Sequence, residues 1–166
     1  MSSLAGSFLI ARPVLQDPNF RKTVVLLLQH GADGAFGLVV NRPAAPKGLP
    51  FPVFKGGPCG SQGMLLLHGH PEWQDGTEEE GKGVVPGIFI GDAACLKRLT
   101  DPASAKGLKF RLYSGYAGWG PKQLEDELAS GAWAVVRATA DLLFDTSIED
   151  LWQQLLPPAL PQPSLN

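Results

Sequence analysis

The chain has 166 residues, a formal net charge of -2 and 44% hydrophobic residues. Its length suits one domain with a sizeable core, and its composition excludes a disordered chain, which would be apolar-poor and charge-rich. So even a charge balance gives no general attraction to nucleic acid or an anionic membrane.

Two cysteines, Cys59 and Cys95, stand outside any CxxC pattern. That argues against a disulfide framework and for a reducing cytosol. The three histidines do not lie at zinc-finger spacings, and no metal or cofactor is called for. At the N-terminus the apolar stretch Phe8–Ala11 has no positive region before it and does not read as a signal peptide. Val24–Leu28, the longest apolar run, is far short of the roughly 20 residues that span a bilayer, so no membrane role is expected.

Thr23–His30 is β-branched at its start and nearly all apolar, which predicts a strand buried on both faces. Gly31–Gly34 supplies a turn, and Phe36–Asn41 a second strand, so a hairpin follows. Asn41-Arg42-Pro43 ends it, because proline cannot donate to a ladder. Residues 43–52 read as irregular and Lys55–Pro58 as a turn cluster. Met64–His68 is a short apolar strand, and Glu78–Glu80 a solvated acidic loop. Ile88–Gly91 is a strand, followed by Asp92 as the cap of a helix over Ala93–Leu99.

Leu108–Ser114 alternates, which predicts a half-buried strand with Leu108, Phe110 and Leu112 inward and Lys109, Arg111 and Tyr113 outward. Gly115–Gly120 reads as a glycine-rich loop, with Pro121 at the first helical position and Gly131 closing the helix. Trp133–Thr139 is the next strand. Thr146 with Glu149, or Ser147 with Asp150, signals a capping box for a helix through Leu156. The expected architecture is α+β: a mixed, largely antiparallel, barrel-like sheet flanked by helices. One domain covers 1–156, and 157–166 is a proline-rich tail.

Several strings resemble the AlgH/YqgE family (UPF0301, DUF179). They are Gly6–Pro13, Asp17–Phe20 and Thr23–Val25; Gly34–Pro43; Gly56–Pro58 with Leu67-His68; and Gly115–Glu125 with Glu127-Leu128 and Gly131–Trp133. Leu143-Phe144 and Trp152 extend the match. The resemblance implies a small barrel-like sheet with flanking helices, in an uncharacterised bacterial cytosolic protein of a type sometimes called a transcriptional regulator. It supplies no catalytic residues. Cys59 stands where the family usually has an aliphatic residue, so no family role attaches to it.

The candidate binding surface comprises Arg42, Gly56, Gly57, Tyr116, Gly118, Trp119 and Gly120. Backbone amides of a Gly-Tyr-Ala-Gly-Trp-Gly-Pro turn at a helix start can hold an anion, while Tyr116 and Trp119 offer stacking faces; the bland alternative makes the glycines a close turn and both rings core. Arg42 at a strand end can grip a carboxylate or phosphate with two prongs, or tie down the neighbouring loop. Gly56 and Gly57 permit close backbone approach, more simply to a strand than to a ligand. The expected function is that of a cytoplasmic, non-enzymatic regulatory protein with a protein or small anionic partner. Two alternatives stand beside it. One is a hydrolase or phosphate-handling enzyme using a pocket that contains His30 or His68, the two paired if their strands lie together, with Cys59 beside His68 as a thiol nucleophile. The other is a direct DNA-binding regulator, disfavoured because no predicted helix pair carries a basic recognition face.

Overall fold

Three apolar strings make the middle of one sheet: β1 (Ser7–Ala11), β2 (Val24–Gly31) and β3 (Gly34–Val39). The computed structural model describes residues 3–44, 53–70, 84–91 and 109–156. β1 and β3 flank β2 in antiparallel register, and Gly31 faces Gly34 across a two-residue turn. The expected hairpin is there. The Phe8–Ala11 run, to which the sequence alone assigns no element, is an interior strand whose residues are fully buried. Its brevity hid it, since four apolar residues without alternation carry no period.

β4 (Val53–Lys55), β5 (Cys59–His68), β6 (Phe89–Gly91), β7 (Phe110–Trp119) and β8 (Trp133–Arg137) complete an eight-stranded sheet. Its order is β6-β5-β7-β3-β2-β1-β8, with β4 lying parallel beside β7; every other pairing is antiparallel. The class is α+β as expected, although the sheet does not close into a barrel. Three helices are described: α1 (Gln123–Ala129), α2 (Ala140–Phe144) and α3 (Ile148–Leu155).

Both faces of the central strands are covered. Phe8, Ile10, Val24, Leu26 and Leu38 face one core, which α2 and α3 close with Leu143, Phe144 and Leu151. Leu9, Ala11, Val25, Leu27 and Val39 face the other, beneath Leu124 of α1 and Phe20 of the loop before β2. Burial on two faces explains the absence of alternation in β2.

Four local expectations are corrected. Gly115–Trp119 is the second half of strand β7, not a loop: Gly118 pairs with Phe36 and Trp119 with Ala35. The glycines serve close approach instead, with Gly115 at φ 78° where β5 shifts register. Tyr113, expected outward, is fully buried, because β7 lies between covered strands. Helix α1 begins at Gln123, two residues after Pro121, since Lys122 at φ 65° breaks the helical run. No capping box forms at α3; the Ser147 hydroxyl donates to Glu149 at 2.9 Å.

At the other end of α1 the expectation holds. Gly131 has φ 83°, its N–H bonds the Leu128 carbonyl, and the Ala132 N–H bonds that of Glu127, which is a Schellman closure. The expected acidic loop, the Ala93–Leu99 helix, Cys95 and the proline-rich tail lie outside the described residues. No helix among the described residues is long and apolar enough to cross a membrane.

Candidate functional site

Arg42 follows β3 and reaches back to the loop ahead of β2. Its guanidinium donates to the Asn19 carbonyl at 2.6 Å and the Arg21 carbonyl at 2.9 Å. Asn41 braces the same corner, accepting from the Val24 N–H at 2.9 Å and donating to the Lys22 carbonyl at 3.0 Å. This fixes the Asn-Arg-Pro string as a clasp and gathers Arg21, Lys22 and Arg42 at one place. Together with Pro18, Glu149 and Trp152 they line a groove of about 520 Å³ between the corner and α3.

The groove is electropositive. None of Arg21, Lys22 and Arg42 forms an ion pair among the described residues. Burial, then the neighbouring charge of Arg21, holds the Arg42 guanidinium below its ordinary range, and Asp17 offsets this in part. Trp152 is fixed by its indole N–H, which donates to the Ala11 carbonyl at 2.7 Å, and Lys22 Nζ lies 5.9 Å from its ring centre. Only two of the five guanidinium donors of Arg42 are committed to carbonyls, so the fork can still meet an oxyanion.

The other residues of the expected surface do not join Arg42 there. Gly56 and Gly57 are buried, packed against the β7 backbone at Gly115 and Tyr116. Tyr116 is exposed, with its ring 4.9 Å from Phe36, and Gly118 is exposed beside it. Trp119 is only 6% exposed. Its ring packs on Phe20 and Trp133, and its indole N–H donates to Glu127 Oε1 at 3.0 Å, an oxygen that also takes the Trp133 indole N–H at 2.9 Å. The amide of Gly120 is met by Gln123 Oε1 at 3.0 Å. The Gly120 amide ahead of α1 is thus engaged from within, and Trp119, 6% exposed, offers no open stacking face.

The two histidines lie apart. His30 ends β2 and pairs with Ala35, which also pairs with Trp119 at one end of β7; His68 pairs with Phe110 at the other end. His30 Nδ1 accepts the Leu4 N–H at 2.9 Å and Nε2 meets Glu125 Oε2 at 3.2 Å, an arrangement that suits the neutral ring with its proton on Nε2. A hollow of about 400 Å³ at the hairpin tip lies among His30, Asp33, Phe36 and Trp119. His68 is fully buried and its Nδ1 accepts the His70 N–H at 3.1 Å. Cys59 sits at the opposite end of β5 from His68, so the two do not form a thiol–imidazole pair. Among the described residues no cluster of His, Cys, Asp and Glu could hold a metal.

Sequence reasoning found Arg42 but missed its neighbours. The adjacent Arg21-Lys22 pair before a buried strand was a readable signal; Trp152 stood out only as an extension of the family match, with nothing in the sequence to place it beside Arg42.

The AlgH-like family model (DUF179) matches residues 8–160. A UPF0301 protein of Streptomyces avermitilis is 39% identical over 94% of this chain and 86% of its own length. One of Myxococcus xanthus is 36% identical over 94% and 91%. Among solved structures, the AlgH protein of Pseudomonas aeruginosa superposes with a TM-score of 0.70 at 30% identity, covering 92% of this chain and 87% of that one. A protein of Corynebacterium diphtheriae shares the fold, with a TM-score of 0.72 at 21% identity over 97% and 90%. The chain belongs to the AlgH-like family.

Proposed function

We propose that this is a non-enzymatic binding or regulatory protein of the bacterial cytosol, and that its partner presents a negatively charged group, as a small molecule or a protein side chain, to the groove at Arg21, Lys22 and Arg42. The observation that carries this reading is the gathering of three cations without an ion-pair partner around a preformed groove. Like charges held together repel, and an anion between them removes that repulsion. The clasp at Asn41 and Arg42 supplies preorganisation, which lowers the ordering cost of binding. Direct reading of DNA gains no support, because the described helices contain no Lys or Arg. A hydrolase reading gains none from His30, whose two ring nitrogens are both engaged.

The test is titration with inorganic pyrophosphate and with ATP, read by amide and indole chemical shifts. Shifts at Arg21, Lys22, Arg42 and the Trp152 indole are expected, and the double substitution Arg21→Ala, Lys22→Ala should weaken binding by about 10–100-fold, as loss of two charge-assisted contacts does. The Arg21 side chain makes no ion pair among the described residues and that of Lys22 only approaches the Trp152 ring, so the variant reports on binding when its urea midpoint matches wild type. No shifts with either probe, or shifts confined to the Tyr116 face, would sink the reading.

A further inference from the structure

β8 forms one open end of the sheet. Its hydrogen-bonding phase is fixed by two flanking bonds: the Ala138 N–H reaches the Gly6 carbonyl and the Arg12 N–H reaches the Ala132 carbonyl. Even-numbered residues of β8 therefore exchange bonds with β1. The backbone groups of Trp133, Val135 and Arg137 point away from it, by the alternation of an antiparallel pair. Among the described residues nothing pairs with that outer side. Two of the usual safeguards of an open edge are also missing. The strand, Trp-Ala-Val-Val-Arg, has no proline and no lysine, and Val135 is 42% exposed at its centre.

We infer that this edge pairs with a second copy of the chain: two β8 strands join antiparallel with Val135 on the two-fold axis, making one sheet across both molecules. An antiparallel self-pairing centred on Val135 is the register that uses all three outward-facing residues, since Trp133 then lies opposite Arg137 of the second copy. It also satisfies charge. Arg137 never faces itself; it faces Trp133, on the same side of the sheet, whose indole is bound to the Glu127 carboxylate. Each half of the symmetric contact brings exposed Arg137 toward the half-buried Glu127 carboxylate, and an isologous interface makes that contact twice. A strand pairing of this length buries less than the roughly 1,200 Å² of a stable interface, so the dimer is weak and concentration-dependent.

Sedimentation velocity over a range of concentrations, together with amide exchange on the intact chain, tests the inference. The mass should rise toward a dimer with concentration, and protection of the Trp133, Val135 and Arg137 amides should rise with it, while Ala134 and Val136 stay protected throughout. Val135→Lys places two ammonium groups face to face on the axis and should weaken association by about tenfold or more, with an unchanged amide spectrum elsewhere. The inference is overturned by a chain that stays monomeric with those three amides exchanging fast. It is equally overturned by a dimer that survives Val135→Lys, or whose formation protects another surface instead.

Discussion

At the residue scale, Glu127 governs more of the structure than its place in an acidic helix suggests. One oxygen accepts both indole N–H groups, from Trp119 and Trp133, and the other accepts Gln123 Nε2 at 3.2 Å. These contacts join β7, β8 and α1, and Phe20 completes the aromatic cluster with its ring 5.9 Å from Trp133. Both indoles are nearly buried, so removing the acceptor strands two donors without water. Glu127→Ala should cost about 3 kcal/mol in urea unfolding, at about 1–3 kcal/mol for each stranded donor. Glu127→Gln keeps an amide oxygen in place and should cost less than half as much. Equal losses in the two variants would show that the helix position, rather than the carboxylate, matters. Arg42 acts in a comparable way, gripping the carbonyls on either side of Phe20. The string that signals the family is thereby tied to the aromatic cluster.

At the scale of elements, β7 organises the sheet by changing partners along its length: β5 and β4 beside its first half, β3 beside its end. The β4–β5 connection must lie flat on its backbone. Gly57, at φ 151°, is where it does so; a Cβ there would overlap the Tyr116 carbonyl and the Ala117 nitrogen. Gly57→Ala therefore combines an unfavourable backbone conformation with a clash against main chain, and should destabilise by more than about 3 kcal/mol. A urea midpoint close to wild type would mean the connection can lift away from β7. Legibility divides along the same line. β2, β3 and the Gly131 closure were readable because each is written in local composition: an apolar run, a turn pair, a glycine after the last turn. β4 and the first half of β5 were not, because their pairing is set by close approach to β7, which glycines permit but do not announce. The same strings made Gly115–Trp119 look like a loop. At the site, Arg42 was legible as a cation at a strand end, whereas its grouping with Arg21 and Trp152 depends on α3 packing beside Ala11, a contact separated by 141 residues in sequence.

At the scale of the whole molecule, His30 and Glu125 tie distant parts of the chain together. The ring takes the Leu4 N–H from the segment before β1, stands at the end of β2, and meets Glu125 on α1. Glu125's own backbone N–H, then the His30 hydrogen bond, hold its carboxyl below the ordinary glutamate value of 4.5. The sign follows from linkage: a carboxyl with a lower pKa folded than unfolded adds stability that is fully present above the unfolded value and is lost as pH falls through the folded one. Wild type should therefore lose part of its stability below about pH 4.5 through this group, in the direction of acid unfolding. Glu125→Gln, which cannot titrate but can still accept from His30, lacks that contribution at every pH. Its deficit in urea midpoint against wild type should be greatest near neutrality and shrink in acid. A deficit that is constant with pH would mean that the carboxyl titrates alike in the folded and unfolded chains, and that the bridge from the N-terminal segment to α1 holds through shape rather than charge.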